Sequence, residues 1–186
     1  MTILFASIFS GIEIIWDKQF GFMKETLVAP VSRVQIMLGK TFGGATVALI
    51  QGIVIFVITF VAGFRPENIF LIPLAFLFMI LVSVLFTALG STIAARMNDM
   101  QGFPLIINFI IMPLFFLSGT LFPIDQLSKV LSIIIKANPL SYGVDGIRGA
   151  LTGVYHFGLV TDLSVLLGSI IICVSIGAYQ FSRIEV

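Results

Sequence analysis

Charge is scarce in this sequence: Asp, Glu, Lys and Arg make up 10% of its 186 residues, against about 25% in a typical soluble domain. With 59% hydrophobic residues and a mean hydropathy of +1.16, one water-soluble core cannot bury the apolar surface, so the solvent is lipid. The formal net charge of +1 offers nucleic acid no basic surface. Cysteine occurs once, at Cys173 inside an apolar run, which excludes a disulfide framework and a zinc site. Histidine also occurs once, and His156 has no cysteine or second histidine at ligand spacing. A basic region and a cleavage site are missing around the first apolar stretch, so it does not read as a secretory signal peptide. The apolar runs also lack the period-2 alternation of a barrel strand. Only helices and closed barrels satisfy their backbone within lipid. The fold class is therefore all-α, a polytopic helical membrane protein.

A helical span needs roughly 20 apolar residues. Residues 1–15 fall short of that and form a partial span. Four fuller spans follow at 42–63, 69–94, 103–122 and 163–181, with a tail at 182–186. The segment 16–41 carries Lys18, Lys24, Arg33 and Lys40, whereas the next loop has only Arg65. By the positive-inside rule the 16–41 segment, the Arg96 loop and the tail are cytoplasmic. The segment 123–162 then lies outside, as extracellular or re-entrant helices.

The cytoplasmic segment is patterned. Trp16, Phe20, Met23 and Leu27 fall at helical spacing beside Asp17, Lys18, Lys24 and Glu25, the mark of a short amphipathic helix on the membrane surface. Pro30 stops it. Ser32 and Gln35 then make a capping box that opens a second helix, flanked by Val31 and Ile36 as a hydrophobic staple. The result is a rigid elbow, which suits either a docking surface for a soluble partner or a plain surface connector. Gly39-Lys40-Thr41 imitates the end of a phosphate-binding loop, but Val34 stands where its first glycine belongs and no strand precedes it. Gly39 and Gly43 read instead as small residues for close helix contact.

The four fuller spans contain no Asp, Glu, Lys, Arg or His in their interiors. Ion-coupled transporters place such groups at membrane depth, and intramembrane enzymes need a nucleophile with a base, or metal ligands. Neither constellation is present, so any transport draws its energy from another chain. Glu13 is a carboxylate near the cytoplasmic end of the first apolar run, suited to a hydrogen bond or ion pair at the membrane interface. Ser83, Thr87 and Ser91, Gly90 and Ala94, and Ser169, Cys173 and Gly177 recur at intervals of four and mark helix packing. Pro104 and Pro113 are expected to bend their helix.

In the outer segment, Asp125 can cap a helix with the apolar face Leu127, Val130, Leu131, Ile134 and Ile135, closed by Lys136. Asn138-Pro139 opens another helix with the face Leu140, Val144, Ile147 and Leu151, on which Asp145 and Arg148 can pair. These helices suit a lid over an exit path or a cap that shields the span ends.

The run Lys24-Glu25-Thr26-Leu27-Val28-Ala29-Pro30-Val31-Ser32-Arg33, followed by Leu38-Gly39-Lys40, resembles the cytoplasmic loop of type-2 ABC exporter permeases. Leu117-Ser118-Gly119-Thr120-Leu121-Phe122-Pro123 is similar to another block of that family. So is Asn138-Pro139-Leu140-Ser141-Tyr142, followed by Asp145-Gly146-Ile147-Arg148. The blocks keep the family's order and spacing over essentially the whole chain, closest to the drug-resistance and lipo-oligosaccharide exporters. The resemblance implies six spans, cytoplasmic termini, a permease dimer and two separate ATPase subunits that hold ATP and Mg. It implies no cofactor, catalytic or metal site in this chain. It also places ATPase docking at about 17–29, which includes Asp17, Phe20, Met23, Lys24, Glu25 and Leu27, and the helices between the fifth and sixth spans at 123–151. The family's N-terminal surface helix, first span and start of the second are not matched. The chain therefore reads as an N-terminally truncated form, or a frame begun at an internal methionine. The expected function is outward movement of an amphipathic drug, lipid or lipid-linked saccharide. A membrane scaffold or assembly subunit and an ion-coupled transporter are the rival readings. No residue is assigned to substrate contact.

Overall fold

The computed structural model describes residues 1–28, 30–120 and 129–182, apart from the side chains of Leu27, Lys129 and Val130. Helices dominate it and no strand occurs among the described residues. In chain order they are α1 (Thr2–Phe9), α2 (Ile12–Gln19), α3 (Phe22–Val28), α4 (Arg33–Val61), α5 (Ile72–Ala95), α6 (Gly102–Phe116), α7 (Lys129–Ala137), α8 (Pro139–Thr152) and α9 (Leu159–Ser182). A 3-10 turn, Ile69–Leu71, leads into α5.

The centre of the bundle is α5, packed against α1, α4, α8 and α9. Ser83, Thr87, Gly90, Ser91 and Ala94 are all buried on it, so the small-residue stripe is a packing surface. On α9, Gly177 meets Met37 and Thr92, and Thr92 Oγ1 donates to the Cys173 carbonyl at 3.3 Å. Glycine is required where α2 begins to cross α5. A Cβ on Gly11 would stand 2.6 Å from the carbonyl carbon and oxygen of Gly90. Among the described residues nothing lies within 4 Å of a Cβ on Gly39 or Gly43. The close contacts expected of those two belong instead to Gly44, against Ser10 and Thr87, and Gly52, against Ile3.

Several boundaries differ from the sequence reading. Ser10 and Gly11 both keep right-handed helical angles, so the first apolar stretch continues as helix through Trp16 to Gln19. The amphipathic helix expected across Trp16–Leu27 is broken at Gly21, whose φ of +85° is cheap only for glycine. The next helix opens as expected: Ser32 Oγ accepts from Gln35 N at 3.3 Å and Gln35 Oε1 accepts from Ser32 N at 2.9 Å. Such a box stabilises a helix start by about 1 kcal/mol.

At 29 residues, α4 merges the second elbow helix with its span, reaching roughly 43 Å at 1.5 Å per residue. In contrast, α6 ends at Phe116 rather than Phe122 and has 15 residues. That gives about 22 Å, less than the roughly 30 Å of a hydrocarbon core. A turn follows in which Gly119 has φ +72°. Pro104 lies in the first turn of α6, where its missing N–H breaks nothing, and Pro113 lies inside it. The Asp125 cap falls outside the described residues. Among the described residues three helices are long and apolar enough to cross a membrane, Arg33–Val61, Ile69–Ala95 and Leu159–Ser182.

Candidate functional site

The elbow, expected on the cytoplasmic side, is the end of α2, the Gly21 turn and α3. Three consecutive side chains fasten it. Asp17 pairs with Lys40 of α4 at 2.5 Å, the two side chains being 21% and 29% exposed. The Lys18 ammonium donates to the carbonyls of Ala95 at 2.5 Å, Met97 at 3.1 Å and Ala94 at 3.3 Å. Those acceptors lie at or just past the C-terminus of α5, where the dipole favours a cation; the Ala94 carbonyl also accepts from Met97 N at 3.0 Å. Burial moves the Lys18 pKa below the ordinary lysine value. Gln19 Nε2 donates to the Asn98 carbonyl at 2.7 Å.

Outward from this anchorage the elbow presents Trp16, Phe20 and Phe22, which are 48%, 69% and 58% exposed. Lys24 and Glu25 are exposed beside them. Met23 is buried, so the stripe expected to combine Trp16, Phe20, Met23 and Leu27 is split. Positive φ at Gly21 resets the helical phase, turning Met23 inward and bringing Phe22 to the surface. Leu27 lies in α3, with its side chain outside the described residues. Glu13 stands exposed in the first turn of α2, where the dipole suits a carboxylate. Among the described residues it forms neither the hydrogen bond nor the ion pair expected of it.

Asp17→Asn is expected to cost less than about 1 kcal/mol, because the pair remains partly solvated. Thermal unfolding in detergent checks this, and the difference from the parent should shrink as salt is raised.

The helices expected on the outer side form a second polar assembly. Asn138 caps α8 through Oδ1, which accepts from Leu140 N at 3.0 Å. Its Nδ2 donates to the carbonyls of Leu114 at 2.7 Å and Leu117 at 3.1 Å, which closes the C-terminus of α6. Tyr142 Oη donates to the Lys136 carbonyl at 2.7 Å, and Arg148 Nη2 donates to the Gly119 carbonyl at 2.9 Å. Burial, and then the charge of Asp162, raise the Tyr142 pKa above the ordinary tyrosine value.

The expected Asp145–Arg148 pair is not made. Asp145 is buried and accepts from the backbone N–H groups of His156, at 3.0 and 2.9 Å, and Phe157, at 2.8 Å. Its neighbour Asp162, in the first turn of α9, is fully buried, and both its carboxylate oxygens lack a hydrogen-bond donor. The His156 ring lies edge-on to Phe157. Among the described residues no group of three or more His, Cys, Asp or Glu could hold a metal ion.

Sequence reasoning missed Phe22, Asp162 and the anchoring role of Lys18. Asp162 carried a signal, as the one acidic residue within the stretch that became α9.

The elbow, the long helices α4 and α5, and the outer assembly as far as the end of α8 fall within residues 1–152, which match the family described as ABC-2 type transporter. The chain belongs to the ABC-2 type transporter family. Among its relatives is the putative transport permease ycf38 of Pyropia yezoensis, 31% identical over 143 residues, covering 75% of this chain and 48% of the relative. The inner membrane transport permease YadH of Escherichia coli K12 is 28% identical over 146 residues, 78% of this chain and 56% of the relative. Nodulation protein J of Neorhizobium galegae is 29% identical over 137 residues, 73% and 49%. The chain thus spans about half the length of the curated relatives it matches.

Proposed function

We propose that this chain is the membrane-spanning permease subunit of an ATP-binding cassette exporter in the cell membrane of a prokaryote. It pairs with a second permease copy and with two ABC ATPase subunits, which bind ATP and Mg and supply the energy. The observation that carries the reading is the elbow: Trp16, Phe20 and Phe22 stand exposed on the surface of the chain, on a segment whose neighbours are tied to α4 and α5. A plain surface connector has no need of outward aromatics on so firm a mount. Large aromatics held rigidly at an interface are the usual anchors of protein association. Outward movement of an amphipathic drug, lipid or lipid-linked saccharide is supported by an apolar lateral groove of about 350 Å³, whose lining includes Ile3, Gly52, Ile55, Phe56, Met79 and Ile147. Such a wall suits the aliphatic part of an amphipathic molecule.

Phe20→Glu and Phe22→Glu are expected each to weaken ATPase association by about 2 kcal/mol, roughly thirtyfold. Both should leave the bundle folded, since neither ring is buried. Co-purification in mild detergent with the complete permease and its ATPase reads this directly. Unchanged recovery of the ATPase with both variants removes the elbow as the docking surface. A charge at Met23 is no substitute test, because it disrupts the elbow itself.

A further inference from the structure

We propose that Lys18 is a positioning residue that makes the elbow and α5 move as one body, so that displacement of the elbow reaches the outer helices. The inference rests on the reading of the elbow as the ATPase-docking surface. The backbones of α2 and α5 touch where Gly11 meets Gly90. Ile14 and Ile15 are buried just beyond it, so the near end of α2 is held and only its far end, from Trp16 on, is left to pivot. Lys18 lies seven residues beyond Gly11, roughly 10 Å along the helix, and its ammonium spans three carbonyls at the end of α5. Two attachments that far apart remove the pivot. Gln19 extends the second attachment to Asn98, and Asp17 ties the same turn to α4.

The chemistry suits the task. An ammonium has three donors and no acceptor, which fits a cluster of carbonyls at a helix end. Its partners are backbone atoms, so the tether acts on the helix as a whole. The pull is delivered to the helix that touches α1, α4, α8 and α9. Through α8 it reaches the outer assembly of Asn138, Asp145 and Arg148.

The experiment uses the complete permease with its ATPase, reconstituted in liposomes. Val154, exposed between α8 and α9, is changed to cysteine in a Cys173→Ala background. Its labelling by a membrane-impermeant maleimide is followed without nucleotide and after trapping with ATP and vanadate. The expected result is a nucleotide-dependent labelling rate in the parent and in Lys18→Arg. In Lys18→Met that dependence is lost while ATP hydrolysis continues. Equal dependence in Lys18→Met and the parent overturns the inference and leaves the permease reading standing. A parent that recovers no ATPase, or whose labelling ignores nucleotide, overturns both. If Lys18→Met fails to assemble, a disulfide between Gln19→Cys and Asn98→Cys supplies the second attachment in its place. Restored nucleotide dependence then supports the tether, and its absence counts against it.

Discussion

Gly90→Val is expected to abolish recovery of folded protein, whereas Gly39→Ala and Gly43→Ala leave it intact. The difference lies in what surrounds each glycine. A Cβ on Gly90 would run into the carbonyl oxygen and Cα of Ile8, and one on Gly11 would stand 2.6 Å from Gly90 itself. These obstacles are backbone atoms, so no rotamer change relieves them and the two helices must separate. Ordinary overpacking of a core costs about 1–3 kcal/mol. Driving apart a contact at the centre of the bundle is expected to exceed about 3 kcal/mol, a large share of the stability of a typical domain. At Gly39 and Gly43 the added methyl meets nothing among the described residues, and the exchange gains helix propensity of up to about 1 kcal/mol at each site. Monodisperse yield and the thermal midpoint in detergent separate these outcomes. A Gly90→Val protein with the parent's midpoint shows that α1 and α2 do not lie against α5 in the folded molecule.

The positions of these glycines show what a sequence can and cannot carry. Gly39 and Gly90 look alike in a helical pattern, because the pattern gives no indication of which face meets a neighbour. The Ser32–Gln35 box and the Asn138-Pro139 start were legible because their partners lie within three residues. The end of α6 was not, since Leu114 and Leu117 find their donor in Asn138, more than twenty residues on. The same holds for α8. Of its apolar face Leu140 is buried and Val144, Ile147 and Leu151 are half-buried, whereas Ser141, Tyr142, Asp145, Gly146 and Gly149 are buried. In lipid the hydrophobic side of a helix need not be the packed side, because close approach favours small residues and internal hydrogen bonds favour polar ones. In the elbow the exposed aromatics were half legible: Phe20 was found, but the phase change at Gly21 hid Phe22. Lys18 was visible as a charge and invisible as a tether, since its acceptors lie more than seventy residues away.

The two carboxyl groups at the outer end should respond in opposite ways to the same chemical change. Asp145 is buried and accepts hydrogen bonds from two backbone N–H groups, those of His156 and Phe157. Hydrogen bonds to a charged acceptor contribute about 1.5–3 kcal/mol each. In Asp145→Asn an amide oxygen at the Oδ2 position still accepts from both N–H groups, but the charge is lost and the amide nitrogen at the Oδ1 position faces the His156 N–H. The expected loss is about 3 kcal/mol, together with loosening of the 153–158 connection between α8 and α9. Asp162 is buried beside Asp145, and neither of its oxygens meets a donor. An amide there keeps the shape, cannot carry a charge beside Asp145, and offers Asp145 an N–H. Asp162→Asn is therefore expected to hold or raise the thermal midpoint, by the equivalent of about 1 kcal/mol. The double variant should recover little of the Asp145→Asn loss, because its cause is the loss of the charged acceptor facing the His156 and Phe157 N–H groups. Thermal unfolding of all three proteins in one detergent gives the comparison, and hydrogen exchange at the amides of His156 and Phe157 localises it. Equal losses from the two single substitutions would mean that Asp162 has a donor in the folded protein, and the asymmetry argued from its burial would be wrong.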